Sequence, residues 1–197
     1  TATQTRIEIP QTNSTMEKER KIKYGRKTVS LTNQDKVYWP KEGIKKGDML
    51  SYYESIAEHI LPYLKDKPIS MNRFPNGING QSFFQKDVEP DQLPSWIKTT
   101  PVHSESGDKM IDYILCNDPA SLLFIANLGS IEINPWLASY KKPEKPQFAV
   151  LDLDPNGADF QEVIAVARST HKILKKANIP AFIKTSGSTV LHIYMNV

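Results

Sequence analysis

The segment that most restricts the fold is Phe148-Ala-Val-Leu-Asp-Leu-Asp154, an apolar run that ends in two acids. Its length and composition suit a buried β-strand. In a strand, residues two apart face the same side, so Asp152 and Asp154 project together. Two like charges held close are unfavourable unless something positive lies between them. Carboxylate oxygens suit a hard divalent cation such as magnesium or manganese. Two such ions about 3.5–4 Å apart can organise an in-line phosphoryl displacement. The same spacing also fits a strand end whose acids point into water, and it occurs in metal-dependent sugar transferases. The pair alone leaves these alternatives open.

The pattern continues downstream. Asp159 and Glu162 have capping-box spacing and open a helix carrying Val163, Ile164, Ala167 and Leu174. Pro180 to Lys184 reads as a strand, Ser186-Gly187-Ser188 as a turn, and Leu191 to Met195 as a further strand. This lobe is strand–helix–strand–strand. Upstream, Lys27 to Leu31 is extended, and a helix begins near Asp48 and buries Met49, Tyr52, Tyr53, Ile56 and Ile60. Pro68 to Phe74 and Ser82 to Gln85 read as strands around the turns Asn76-Gly77 and Asn79-Gly80. Asp118-Pro119 opens another helix, which ends near Gly129 and is followed by an extended Ser130 to Trp136. The polar connection Lys141 to Pro146 places a lobe boundary between about residues 143 and 144. The fold class is α+β, a mixed α/β chain with sub-lobes 27–143 and 144–197.

Charge is unevenly placed. Residues 1–30 hold seven basic and three acidic side chains, a surplus of four, against a net charge of +3 for all 197 residues. Residues 1–26 read as a basic, flexible arm, suited to a polyanion or simply to solubility. No run approaches the roughly 18–20 apolar residues of a membrane span. Thr1 to Pro10 lacks an apolar signal core, and Cys116 is the one cysteine. The expectation is a cytoplasmic protein with no membrane partner.

Three further groups carry potential chemistry. Lys184-Thr-Ser-Gly187 follows a strand, and His192 lies on the next one; with Ser186 they could hold a triphosphate, or form an ordinary hairpin. Phe83 and Phe84 face opposite sides of a strand, so one can stack on a base, worth roughly 1–3 kcal/mol, unless both rings are buried. Arg73, Lys86, Lys36, Lys45 and Lys46 could bind phosphates or serve as solvated surface charges.

The order of these pieces resembles the primase-like polymerase domain of bacterial ATP-dependent DNA ligase D, in the archaeo-eukaryotic primase superfamily. The matching segments are Leu31-Thr-Asn-Gln-Asp-Lys-Val-Tyr-Trp-Pro40, Lys46 to Tyr53, and Arg73-Phe-Pro-Asn-Gly-Ile-Asn-Gly-Gln-Ser-Phe-Phe-Gln-Lys86. They continue with Ala126 to Glu132 and Trp136, Leu151-Asp-Leu-Asp-Pro155, and Lys184 to Thr189 with Leu191-His192. The resemblance implies a two-lobe core, the second lobe RRM-like. It implies template-dependent nucleotide addition to DNA ends or gaps during non-homologous end joining, with ribonucleotides preferred and manganese or magnesium as cofactor. Asp152 and Asp154 would be the catalytic metal ligands. Lys184, Ser186, His192 and Arg73 would bind the nucleoside triphosphate, Phe83 and Phe84 would pack on base or template, and Lys36 and Lys46 would bind a 5′-phosphate. Ku and fused or separate ligase and nuclease modules are the implied protein partners, and the bacterial nucleoid the implied location.

The chain also departs from the pattern. Asn72 stands where a basic residue is usual, Asn134 where a histidine is common, and Val190 and Asn196 where glycine and proline are expected. No counterpart of the family's third catalytic carboxylate precedes Val197, so the domain is expected to be incomplete at its C-terminus. A non-catalytic DNA-end or nucleotide-binding fragment is therefore the alternative reading. A sugar-nucleotide transferase using Asp152 and Asp154 is a weaker one.

Overall fold

The computed structural model describes residues 19–104, 107–186 and 189–197. They fall into two compact units, one ending at Trp136 and one running from Leu137 to Val197. The boundary precedes the expected 143/144 because the Lys141–Pro146 connection folds back inside the second unit. Ala138 bridges Pro146, and the Gln147 N–H donates to the Leu137 carbonyl at 2.9 Å.

The first unit opens with a hairpin, β1 (Glu19–Tyr24) and β2 (Lys27–Thr32), turned at Gly25 with φ +59°. This corrects the expected arm over residues 19–26; residues 1–18 of that arm lie outside the described residues. Basic residues at alternate positions conceal an apolar face. Ile22 and Tyr24 pack on the core beside the buried Val29 and Leu31, and the Tyr24 hydroxyl donates to Glu54 at 2.9 Å. The short strands β3 (Val37–Trp39) and β4 (Ile44–Lys45) lead into α1 (Lys46–Ser55) and α2 (Ala57–Leu64). Asp48 is not the cap of α1. It lies at the third helical position and accepts from the Lys45 N–H at 2.8 Å.

The centre of this unit is β5 (Pro68–Arg73), whose Ile69 and Met71 are fully buried. The hairpin of β7 (Lys98–Ser104) and β8 (Lys109–Leu115) pairs with its first residues. Then β6 (Phe83–Gln85) takes Met71 to Arg73, and β9 (Ser130–Pro135) takes the other edge; every pairing is antiparallel. Helix α3 (Pro119–Asn127) buries Leu122, Leu123, Ile125 and Ala126. It starts where the sequence places it. The Asp118 carboxylate accepts from the Ser121 N–H at 3.0 Å and pairs with Lys27 Nζ at 2.5 Å. Partial burial opposes its ionisation, but Lys27 and the Ser121 N–H hold Asp118 below the ordinary carboxylate range.

The second unit is a three-stranded antiparallel sheet in the order β10 (Phe148–Leu153), β12 (Leu191–Asn196), β11 (Ala181–Thr185). Helix α4 (Phe160–Lys176) packs Val163 and Ala167 against Leu191 and Ile193. Its Asp159–Glu162 capping box forms as the sequence predicts. No helix among the described residues is long and apolar enough to cross a membrane.

Candidate functional site

In the first unit a cleft of about 270 Å³ is lined by Lys36, Lys46, Arg73, Tyr38 and Asn127, among others. Three cations from separate segments meet here because β2, β3 and β5 all reach the start of α1. The Lys46 ammonium donates to the Thr32 carbonyl at 2.9 Å. Lys36 donates to the Pro75 carbonyl and to Asn76 Oδ1, each at 2.6 Å. Arg73 Nε donates to the Leu128 carbonyl at 2.9 Å, and Nη1 donates to Gln85 at 2.7 Å. All these acceptors are neutral, and among the described residues no Asp or Glu lines the cleft. Lys46 is only 4% exposed. Burial, with added repulsion from Lys36 and Arg73, pushes its pKa down to about 8. A cluster of positive charge without a carboxylate favours a bound anion.

Two glycines shape the floor. Gly77 has φ +80°, and a Cβ there would lie 2.9 Å from the Tyr38 carbonyl oxygen. Gly129 has φ +84°, and its Cβ would lie 3.0 Å from the Tyr38 hydroxyl. Both turns close on the buried Tyr38 only because neither carries a side chain.

Phe83 and Phe84 are 45% and 69% exposed, so neither belongs to the core. Register pairs Phe83 with Arg73 and Phe84 with Asn72. The Arg73 guanidinium carbon sits 5.2 Å from the Phe83 ring centre. Arg73, which the sequence groups with the triphosphate residues, thus lines the lysine cleft and supports an exposed ring. Asn72 is 7% exposed, and its Oδ1 has no hydrogen-bond partner among the described residues. The sequence did not single out Asn127 or Gln85. Asn127 donates to the Ser30 carbonyl at 3.0 Å and accepts from the Thr32 N–H at 3.1 Å, which ties β2 to the cleft wall. The signal for it is an amide at the last position of an apolar helix, a poor helix-interior residue.

In the second unit His192 lies opposite Asp152 on one side and Lys184 on the other. Residues in register share a face, so an acid, an imidazole and an ammonium form one row across the three strands. The row lies on the face opposite Leu191 and Ile193. His192 Nε2 is 3.4 Å from Asp152 Oδ1, whose side chain is 67% exposed. Asp154 follows the last residue of β10, and its Oδ1 accepts from the Asn156 N–H at 3.1 Å. The Ser186 hydroxyl donates to the Val190 carbonyl at 3.0 Å; the neighbouring Gly187 and Ser188 lie outside the described residues. Asp152 and Asp154 offer hard oxygen donors of the kind a divalent cation takes. Among the described residues no three His, Cys, Asp or Glu side chains come together in a group that could hold a metal ion.

Comparison with known proteins shows the family. The family model described as LigD, primase-polymerase domain, matches residues 45–197. The multifunctional non-homologous end joining protein LigD of Mycolicibacterium smegmatis is 29% identical over 170 residues, 85% of this chain and 22% of that protein. The Mycobacterium tuberculosis LigD is 31% identical over 175 residues, 84% of this chain and 23% of that protein. The bifunctional LigD of Bacillus subtilis is 27% identical over 168 residues, 85% of this chain and 26% of that protein. The chain thus spans about a quarter of the length of these relatives. Among solved structures, the polymerase domain from Mycobacterium tuberculosis ligase D in complex with DNA superposes with a TM-score of 0.75 at 30% identity, covering 86% of this chain and 61% of that one. With the family model matching most of its length, the chain belongs to the LigD primase-polymerase domain family.

Proposed function

We propose that this chain binds DNA ends or gaps carrying a 5′-phosphate and adds nucleotides to them, template-directed and with ribonucleotides preferred, in non-homologous end joining. The carboxylate-free cleft of Lys36, Lys46 and Arg73 carries the reading. A terminal phosphate holds more negative charge than an internal one, and a buried ammonium rewards that difference. Beside the cleft, the exposed Phe83 and Phe84 offer ring faces on which a base can stack.

The nucleotide belongs to the second unit in this reading. Lys184 and Ser186 meet the triphosphate oxygens, with His192 placed by its register between Asp152 and Lys184. Asp152 and Asp154 fit two ligands of a manganese or magnesium ion, which when bound would increase the acidity of the attacking 3′-hydroxyl and offset triphosphate charge. Ku and ligase or nuclease modules are the partners this role implies.

A second reading, end binding without turnover, draws on the cleft and the exposed Phe83 and Phe84, which need no metal to hold a DNA end. One experiment decides between them. Nucleotide addition to a recessed, 5′-phosphorylated end is measured in manganese for the wild type and for Asp152→Asn, with end binding followed in parallel. The first reading requires addition that Asp152→Asn abolishes while end binding persists. Binding without addition in the wild type supports the second.

A further inference from the structure

The β1–β2 hairpin lies outside the residues that the family model matches, which begin at 45. Its inner face is committed to the core through Ile22, Tyr24, Val29 and Leu31. Its outer face is different. Lys21 pairs with Ser30 and Lys23 with Thr28, so both lysines and both hydroxyls point the same way. Lys21, Lys23 and the turn residue Arg26 are exposed. Among the described residues none of the three pairs with a carboxylate.

The ribbon is also held at a fixed offset from the cleft. Its last residue, Thr32, lines the cleft and accepts the Lys46 ammonium through its carbonyl. Asn127 bridges Ser30 and Thr32. Counting back along β2 at about 3.3 Å per residue, Lys21 lies level with a point about 7 Å from Thr32, and Lys23 about 13 Å. One strand of duplex DNA rises about 3.4 Å per nucleotide, and because the strand also winds round the axis its successive phosphates lie roughly twice that far apart. These offsets therefore correspond to about one and two nucleotides.

We propose that the outer face of the β1–β2 hairpin is a second DNA-binding surface, a basic ribbon that grips the backbone of the 5′-terminated strand about one to two nucleotides in from the phosphate held in the cleft. The register of this contact rests on the cleft being the terminal-phosphate site. The ribbon reads no bases. Its lysines and hydroxyls suit phosphate oxygens, which carry no sequence information. Its effect is to favour ends backed by duplex over isolated phosphates.

The test uses the whole chain, a 5′-phosphorylated recessed duplex, and Lys21→Ala/Lys23→Ala beside the wild type. Both lysines are exposed, so melting temperature should not change. The slope of log affinity against log salt should fall by about two, since each phosphate contact contributes about 0.9. Preference for the phosphorylated end should be retained. Neutral methylphosphonates at the first two linkages inward from the terminal phosphate should weaken wild-type binding and leave the variant nearly unaffected. An unchanged salt slope would overturn the proposal, and so would equal methylphosphonate sensitivity in both proteins. If the wild type showed no preference for the phosphorylated end, the cleft reading and the ribbon's register would fall together. The salt slope alone would then report whether the hairpin contacts DNA at all.

Discussion

Replacing Lys46 with methionine is expected to stabilise the first unit while removing its preference for phosphorylated ends. Lys46 is 4% exposed and its pKa is pushed from 10.5 to about 8, first by burial and then by Lys36 and Arg73. At about 1.4 kcal/mol per pH unit, keeping it charged in the folded protein costs about 3 kcal/mol at neutral pH. Methionine fills much the same volume without the charge, but it leaves the Thr32 carbonyl without its donor, a loss of about 1–3 kcal/mol. The balance is a gain of about 1 kcal/mol, which appears as a rise in melting temperature of a few degrees. The sign reverses with pH in a definite window. Below pH 8 both the folded and unfolded chains carry the charge, and the full penalty applies. Between about 8 and 10.5 the folded chain sheds its proton while the unfolded chain keeps it, so wild-type stability gains on the variant as pH rises. Melting curves of both proteins from pH 6.5 to 10, with end binding measured at pH 7, check this. If the variant melts lower at pH 7 and the gap does not change with pH, Lys46 is not held against its charge and the argument fails.

Two other substitutions probe different links. Asp118→Ala removes both the cap on Ser121 N–H and the pairing with Lys27; it should cost about 1–2 kcal/mol in chemical denaturation, with end binding intact. Arg73→Lys keeps the charge but cannot hold Leu128 and Gln85 at once while facing the Phe83 ring. It should weaken binding to an end with a template overhang several-fold more than binding to a blunt phosphorylated end, as read by titration.

What could be read from the sequence was local. Asp118-Pro119 and Asp159 with Glu162 announce helix starts because capping involves neighbours only. The row of Asp152, His192 and Lys184 was partly visible, since strand alternation fixes each face, but only the register shows that they are aligned. The cleft was hidden for a physical reason. Lys36, Lys46 and Arg73 share no local pattern, and they meet because β5 crosses beside the start of α1. Resemblance singled out the two lysines, whereas their spacing did not, and it grouped Arg73 elsewhere. The β7–β8 hairpin had no clear signal. Lys98–Ser104 contains Pro101 and three exposed positions, as suits a strand paired on one edge only. The β1 strand was masked by its own lysines.

The sheet of the second unit has a consequence for how the chain is made. Strands β10 and β11 never touch each other; each pairs only with β12, which follows both in sequence. As the polypeptide leaves the ribosome, Phe148–Leu153 and Ala181–Thr185 must therefore wait without a partner until Leu191–Asn196 has emerged. In the first unit β5 already has a partner in β6 once Gln85 has emerged, and the last strand is complete by Pro135. The two halves of the protein are thus born in sequence, with the cleft of Lys36, Lys46 and Arg73 able to form before the row of Asp152, His192 and Lys184 exists.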